Sequence, residues 1–328
     1  PKKKQAHQRG TLFNGRSCCS LVFIIIKQSL GKGKFMRKLF LLVVIFTLFL
    51  SGCGSQPAGS KQGGKLKVVA SFYPMAEFAR QVGGDQVTVT TLIPDGVEPH
   101  EWEPTAKDLS GIKDAGLFIY NGGVEPWAPK AVNAIGADKV RALEAGRGHL
   151  ELNGHLDPHL WLSPKQAQIE VNVIRDGLIQ ADAAHKDVYT ANAAAYNAKL
   201  QQLDKQLAAL AKTAKRKEFV TTHAAFGHLA ADYGLKQLSI LGISPEAEPS
   251  PAELTQLVSL VREKNIKYVF FETLVSPKVA QTLAAETKAK TLVLNPLEGL
   301  TKEERSAGAD YLSVMEQNIK NLQLALNS

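Results

Sequence analysis

The stretch KDVYTANAAAYNAKLQQLDKQLAALAKTA at residues 186–214 divides the chain and decides its architecture. It contains neither glycine nor proline, and large apolar side chains recur at spacings of four and three from Tyr196 to Leu210. That spacing is the period of one apolar helix face. At 1.5 Å per residue, such a helix is about 43 Å long. We therefore predict one rigid helix that links two halves of the molecule.

On both sides of this helix, apolar β-rich runs alternate with segments of helical period. Alternation of this kind is typical of a parallel sheet covered by helices. We predict an α/β fold with an N-terminal lobe at 65–185 and a C-terminal lobe at 215–328, each a mostly parallel sheet flanked by helices. The predicted strands lie near 66–72, 87–93, 116–121, 139–143, 218–222, 236–241, 266–272 and 291–295, and the predicted helices near 74–83, 104–114, 125–135, 164–181, 224–233, 251–264, 277–288 and 307–326.

Several predicted helices begin with recognisable capping signals. Ser250-Pro251-Ala252-Glu253 combines a capping serine, a proline at the first helical position and a glutamate that completes a capping box. Ser163-Pro164 and Ser276-Pro277 repeat the first two features. These signals predict where the helices start.

The formal charge of +8 does not indicate a nucleic-acid partner. Residues 1–52 hold ten Lys or Arg and no acidic residue, which leaves 29 basic against 31 acidic residues in the rest of the chain. The excess positive charge therefore lies in a targeting segment and not on a folded face. We expect no nucleic acid among the partners.

The targeting segment has the pattern of a signal peptide that begins at Met36. A basic pair is followed by twelve apolar residues from Leu39 to Leu50, and Leu50-Ser51-Gly52-Cys53 resembles the lipobox of bacterial lipoproteins. The apolar run is shorter than the roughly 20 residues of a membrane-spanning helix. We predict a signal peptide at 36–52, lipidation of Cys53, and a flexible linker at 53–64.

Residues 1–35 do not fit this plan, and we interpret them as translated upstream sequence without function. Cys18 and Cys19 lie in that segment, so Cys53 is the only cysteine after processing. We therefore expect no disulfide and no cysteine-based metal site in the mature chain.

Four side chains with metal-binding chemistry follow predicted strands or precede a predicted helix: His100, His159, His223 and Glu298. In open α/β sheets, ligands bind beyond the carboxyl ends of the strands. Two of the four belong to each lobe, so we predict a metal site between the lobes.

Three imidazoles and one carboxylate suit Zn²⁺ in tetrahedral geometry. Four protein ligands leave no coordination position for a reactive water, which favours holding over catalysis. Any single histidine can instead be a structural residue, and Glu298 can be a solvated loop acid with water as the fourth ligand. We expect zinc affinity to fall below about pH 6.5 as the imidazoles become protonated.

Five ordered blocks of sequence carry a family resemblance: Lys67-Val68-Val69-Ala70-Ser71-Phe72-Tyr73-Pro74, His-x-x-Glu-Pro at His100, Asp-Pro-His-x-Trp-Leu at His159, His-x-Ala-Phe-Gly at His223, and Asn-Pro-Leu-Glu at Glu298. From Lys65 to Leu326 the chain closely resembles the metal receptors of ABC transporters, specifically the zinc-binding ZnuA/AdcA-type solute-binding proteins. The resemblance implies that His100, His159 and His223 bind the metal and that Glu298 completes the shell. It also implies an extracytoplasmic receptor that delivers Zn²⁺ to a membrane permease with its cytoplasmic ATPase; together with the lipobox we expect it to be membrane-anchored, and a monomer is the default for a receptor that docks one permease.

Manganese-binding relatives carry a glutamate where this chain has His223, so the imidazole favours zinc and a Mn²⁺ receptor is the alternative. Many zinc members also insert a long His- and acid-rich loop between the first two ligand blocks. Here the corresponding region shrinks to residues 147–157, where His149 and His155 form either a weak accessory metal loop or a plain solvated loop.

The sequence also suggests roles for other polar residues near the predicted ligands. Asp157, Glu101 and Glu272 are candidates to orient imidazoles or to balance charge, with an ordinary polar residue as the alternative for each. His228 lies about 140° round a helix from His223, so we expect it not to share the metal.

Two other classes of function remain as alternatives. A surface zinc-dependent hydrolase lacks support, because Pro104 blocks the helix that a His-Glu-x-x-His site needs and no Gly-x-Ser-x-Gly elbow is present. An adhesin would need an exposed binding stretch or repeat, which the sequence does not show. We predict that the protein is not an enzyme.

Overall fold

The computed structural model describes residues 64–136, 138–245 and 249–328. The predicted upstream segment 1–35, the signal peptide 36–52, Cys53 and all but the last residue of the 53–64 linker lie outside the described residues. Within the described ranges, no helix is both long enough and apolar enough to cross a membrane.

Strands and helices alternate along both halves of the described chain, and residues 64–328 form one compact unit. The first half contains β1 (Leu66–Ala70), α1 (Tyr73–Gly83), β2 (Val87–Thr91), α2 (Ala106–Lys113), β3 (Leu117–Tyr120), α3 (Ala128–Ile135), β4 (Ala142–Glu144), β5 (Glu151–Leu152), β6 (His155–Leu156) and α4 (Pro164–Ala181). The second half contains α5 (Lys186–Thr213), β7 (Glu218–Thr221), α6 (Gly227–Tyr233), β8 (Lys236–Ser239), α7 (Pro251–Glu263), β9 (Tyr268–Phe271), α8 (Lys278–Thr287), β10 (Lys290–Val293), α9 (Lys302–Ser306) and α10 (Tyr311–Leu326).

Each lobe contains one four-stranded parallel sheet. The strand order is β2-β1-β3-β4 in the first lobe and β10-β9-β7-β8 in the second. Val68 of β1 pairs with Val89 on one side and Leu117 on the other. All four residues of β3 are buried, as expected for a strand covered on both faces. The predicted α/β fold with two parallel sheets is confirmed.

The long helix α5 packs its predicted apolar face into the interior. Its buried side chains include Tyr196, Leu200, Leu203 and Leu207. These residues belong to one hydrophobic core that contains Val68 of the first sheet and also residues of the second lobe, among them Phe219 and Phe270. The two sheets therefore share a continuous core.

The last helix, α10, contributes to that same core from the end of the chain. The ring of Tyr311 lies 5.1 Å from the ring of Phe78 in α1, and the Tyr311 hydroxyl donates to the carbonyl oxygen of Trp161. Across the lobes, the Trp161 indole donates to the carbonyl oxygen of Pro296 at 2.8 Å. Packing and hydrogen bonds thus join the two lobes directly.

The predicted helix 307–326 is wrong at its start. The structure has two helices, α9 and α10, separated at Gly308, whose φ is +77°. Asp310 then caps α10 in a capping box with Ser313. A glycine in the left-handed region ends a helix, and an aspartate at the next available position begins another.

Two further details differ from the sequence-based expectations. The fourth strand begins at Ala142 rather than near residue 139. An unpredicted hairpin, β5–β6, turns at Asn153-Gly154, with φ of +54° and +82°. Asn-Gly is the residue pair that a tight hairpin turn favours, so this signal was present in the sequence.

The capping predictions have mixed outcomes. Ser250 and Glu253 form the predicted capping box at the start of α7. Ser163 does not cap α4 with its side chain; its hydroxyl donates to Asp232 of α6 instead. The Ser163 side chain therefore joins α4 to the second lobe.

Candidate metal centre

Parallel sheets bring three of the four predicted residues to one place because they direct strand ends to the same edge. His100 lies in the loop after β2, and His159 directly precedes the short turn that leads to α4. His223 follows β7, and Glu298 follows β10. His159, His223 and Glu298 are buried, and His100 is partly buried.

The donor atoms of the four residues converge on one point. The Oε1 atom of Glu298 lies 3.1 Å from Nε2 of His100, 3.2 Å from Nε2 of His159 and 3.3 Å from Nε2 of His223. The Nε2 atoms of His100 and His159 are 3.3 Å apart. All four donor atoms lie within 4.8 Å of one another.

These separations match a tetrahedral zinc shell. Donor atoms about 2.0–2.1 Å from a tetrahedral ion lie about 3.3 Å from each other. The Nε2 atom of His223 is also buried without a hydrogen-bond partner among the described residues, since its approach to Glu298 lacks hydrogen-bond geometry. A buried nitrogen of this kind needs a partner, and a cation at the centre of the four donors would supply one.

Carboxylates hold two of the imidazoles from behind. The Nδ1 atom of His159 lies 2.9 Å from Asp157, and Nδ1 of His223 lies 2.6 Å from Glu272. Glu272 also accepts from the backbone N–H of His223 at 3.1 Å and from the hydroxyl of Thr222. A proton on Nδ1 leaves Nε2 free to bind a metal, so these contacts select the tautomer that a ligand requires.

The third candidate acid, Glu101, is exposed and does not reach an imidazole. Glu98 takes a related place instead, because both of its carboxylate oxygens accept from the backbone N–H of His100, at 3.0 and 3.1 Å. The sequence carried no clear signal for this contact, since Asp and Asn, and not Glu, are the usual side chains that accept from a backbone N–H two residues on. Glu101 therefore does not orient an imidazole and fits the alternative of an ordinary polar residue.

Buried charges shift the proton affinities of this centre. Burial by itself lowers the pKa of His223, but the carboxylates of Glu298 and Glu272 outweigh it and raise that pKa to about 10. Burial also lowers the pKa of His159, but Asp157 and Glu298 outweigh it, so the pKa of His159 is raised. For Glu298, burial raises the pKa, but the surrounding imidazoles hold it well below its usual value. The centre is therefore built around an ionised carboxylate.

Among the described residues, the remaining histidines do not belong to the four-residue cluster. His228 is buried on α6, and its Nε2 lies 2.9 Å from the carbonyl oxygen of Asp157, as expected for a histidine that does not share the metal. His149 and His155 are exposed, the first before and the second within the β5–β6 hairpin. Their role as an accessory metal loop stays a prediction.

Two parallel α/β lobes with a closed four-donor centre between them define a class of protein, the metal-binding receptors. The chain belongs to the family described as zinc-uptake complex component A, periplasmic (ZnuA), whose profile matches residues 68–325. The resemblance seen in the sequence is thereby confirmed. The family comprises binding components and not enzymes, in agreement with the prediction.

Curated relatives and solved structures support this assignment. The high-affinity zinc uptake system protein ZnuA of Bacillus subtilis is 44% identical over 309 residues, which cover 88% of this chain and 97% of that protein. The zinc-binding lipoprotein AdcA of Streptococcus pneumoniae is 44% identical over 306 residues, 88% of this chain but 60% of that longer protein. The Zn(II)-bound ZnuA-like domain of AdcA superposes with a TM-score of 0.73 at 48% identity, covering 81% of this chain and 100% of that domain.

A second solved structure belongs to a relative that is described with a further activity. The laminin-binding protein Lmb of Streptococcus agalactiae, described as a bifunctional protein with adhesin and metal-transporting activity, superposes with a TM-score of 0.73 at 38% identity. The match covers 80% of this chain and 99% of that structure.

Proposed function

We propose that this protein is the extracytoplasmic receptor that binds Zn²⁺ and delivers it to the permease of an ABC importer. Its zinc ligands are His100, His159, His223 and Glu298. The observation that carries this proposal is the convergence of three Nε2 atoms on one carboxylate oxygen at 3.1–3.3 Å, the spacing of a tetrahedral zinc shell. The filled shell leaves no place for a reacting water, so the centre holds its ion.

Selectivity for zinc over manganese comes from the three neutral nitrogen donors. Mn²⁺ favours oxygen ligands, whereas imidazole suits Zn²⁺. Glu272 keeps His223 in the tautomer that presents Nε2 to the metal. This donor set therefore favours a Zn²⁺ receptor over a Mn²⁺ receptor.

The remaining features of the proposal concern attachment and assembly. Lipidation at Cys53 tethers the protein to the outer face of the cytoplasmic membrane, and the polar linker that follows lifts the folded unit off the surface. The receptor acts as a monomer that docks on one permease, which is driven by a cytoplasmic ATPase. The lipobox supports the first point, and mass spectrometry of the mature N-terminal peptide tests it.

Calorimetric titration of metal-free residues 64–328 with Zn²⁺ and with Mn²⁺ tests the central claim. We expect tight one-to-one zinc binding and much weaker manganese binding. His223→Ala should lower zinc affinity by more than about 100-fold, since losing a ligand exceeds the loss of an outer partner. The matched control His185→Ala removes a histidine whose side chain contacts Asp182 and none of the four ligands. Preference for Mn²⁺, or no tight site, would contradict the proposal.

A second candidate function, adhesion, is favoured only by the similarity to Lmb. Binding of the zinc-loaded protein to immobilised laminin would support it. Absence of binding at micromolar concentrations would leave metal delivery as the single function.

A further inference from the structure

The residue before Glu298 has an unusual backbone conformation. Leu297 has a φ of +56°, in the left-handed region that side chains with a Cβ atom disfavour. It is fully buried in the shared core. A buried leucine in this conformation persists only when the surrounding structure holds it there.

Two asparagines supply that constraint. The side-chain oxygen of Asn295 accepts from the backbone N–H of Leu297 at 2.8 Å, which closes a tight local turn. Asn318 of α10 then holds the backbone of Asn295 on both sides. Its Oδ1 accepts from the Asn295 N–H at 2.9 Å, and its Nδ2 donates to the Asn295 carbonyl oxygen at 2.7 Å.

The Glu298 carboxylate has little else to place it. Its hydrogen bonding within the described residues is limited to the imidazole of His100, with the other two imidazoles close by. Its position thus depends on the direction in which the backbone leaves Leu297. The start of this turn is held by a side chain of α10, that of Asn318, which lies 23 residues beyond Asn295 in sequence.

We propose that Asn318, acting through Asn295, is a positioning residue that holds the Glu298 carboxylate at the metal centre. The inference rests on the proposed function, because it takes Glu298 as a zinc ligand. An amide is suited to this task since it donates and accepts at once, whereas aspartate and leucine cannot. Loss of the amide lets Leu297 relax towards negative φ and turns Glu298 away from the three imidazoles.

The chain offers a matched control one helical turn further on. Asn321 of α10 donates from Nδ2 to the carbonyl oxygen of Val293 at 2.8 Å, at the end of β10 and before the Leu297 turn. Asn321→Ala therefore removes a comparable hydrogen bond from the same helix without touching the turn.

The test measures zinc affinity by chelator competition in Asn318→Ala and Asn321→Ala, each with and without Glu298→Gln. We expect Asn318→Ala to weaken binding roughly tenfold, the lower end for outer partners of metal ligands. Adding Asn318→Ala to the Glu298→Gln variant should lower zinc affinity by less than about a further twofold, because the two changes remove the same contact. Asn321→Ala should stay within about twofold of the unchanged protein in both backgrounds.

Equal weakening by Asn318→Ala in both backgrounds, or equal weakening by Asn321→Ala, would overturn the positioning role while leaving the zinc receptor intact. Unchanged affinity in Glu298→Gln would show that Glu298 is not a ligand and would overturn the inference together with that part of the proposed function. No zinc site in the unchanged chain would overturn the proposed function itself.

A second pair of variants keeps the test decisive if Asn318→Ala does not fold, as judged by circular dichroism without metal. Asn295→Ala removes the acceptor for the Leu297 N–H. Asn295→Asp combined with Glu304→Gln keeps that acceptor and avoids repulsion with Glu304, whose Oε1 accepts from Asn295 at 2.9 Å. The aspartate pair should retain affinity that the alanine variant loses; equal losses would contradict the inference.

Discussion

At the scale of the residue, Glu272 shows how a side chain that never touches the metal controls a ligand. Its two oxygens contact both the ring and the backbone N–H of His223. Glu272→Gln keeps the shape but removes the charge, so it should lower zinc affinity by roughly 10–100-fold. Chelator competition measures the effect, with exposed Glu101→Gln as control; equal affinities in all three proteins would contradict it.

Proton release is a second residue-scale consequence. Because zinc binds the neutral imidazole and the pKa of His223 is about 10 without metal, binding must displace a proton throughout the range below that value. Zinc affinity should therefore keep rising above pH 6.5, the value below which the sequence alone predicts a fall in affinity. Calorimetry in buffers of different ionisation enthalpy should give at least about one proton released per ion at pH 7. Identical heats in all buffers would refute this.

Glu170 illustrates a cost in the fold. It is fully buried on α4, and neither carboxylate oxygen has a hydrogen-bond partner among the described residues. Burial, and to a smaller degree Glu125, raise its pKa well above the usual value, so the folded chain holds this proton more tightly than the unfolded chain. Stability should fall as pH rises from about 4.3, the unfolded pKa, towards the folded pKa.

Glu170→Gln removes that pH dependence. Relative to the original protein, its free energy of unfolding should rise by about 1.4 kcal/mol for each pH unit between the unfolded and folded pKa, because the amide stays equally buried but has no charge to form there. Urea unfolding of the metal-free protein at pH 5 and 8 measures it, with exposed Glu263→Gln as control. A variant no more stable than the original at pH 8 would refute the account.

The residues that sequence reasoning found and missed differ in one physical respect. His100, His159, His223 and Glu298 could be predicted because each lies next to a recognisable element end, and parallel sheets gather such ends. The link from Asn318 to the Leu297 turn could not, since it depends on how α10 packs against β10. The metal ligands could thus be predicted from local sequence signals, whereas the side chains that support them depend on tertiary packing.

At the scale of the element, α5 was predictable over its whole length because its apolar spacing is uninterrupted. The hairpin β5–β6 was not predicted because two-residue strands are too short to show alternating hydrophobicity. Its Asn-Gly pair nevertheless indicated a tight turn. The start of α10 was misplaced because helical periodicity carries across Gly308, and only the capping box shows the break.

The buried face of α5 yields a prediction at this scale. Leu203 is 2% exposed in the shared core, and Leu203→Ala should lower the free energy of unfolding by about 2–5 kcal/mol. Zinc affinity should stay unchanged, because α5 carries none of the four ligands. Val188→Ala, on the exposed side of the same helix, should cost less than about 0.5 kcal/mol. Similar losses in both variants would contradict the packing.

At the scale of the whole molecule, the shared core restricts motion between the lobes. Trp161 and Tyr311 form hydrogen bonds across them, and α5 packs into an interior common to both sheets. We therefore expect only local rearrangement when zinc leaves. Small-angle X-ray scattering should give radii of gyration for the metal-free and zinc-loaded proteins that agree within about 1 Å, well short of hinge closure. A larger difference would contradict this rigid arrangement.

The contact between Phe78 of α1 and Tyr311 of α10 bears on how the chain is made. The first-synthesised half cannot complete its interior until the sixteen residues of α10 have been added. We expect a chain whose packing waits for so late a helix to stay incompletely packed during synthesis. Such a delay suits a polypeptide that must pass through a narrow export channel before it folds.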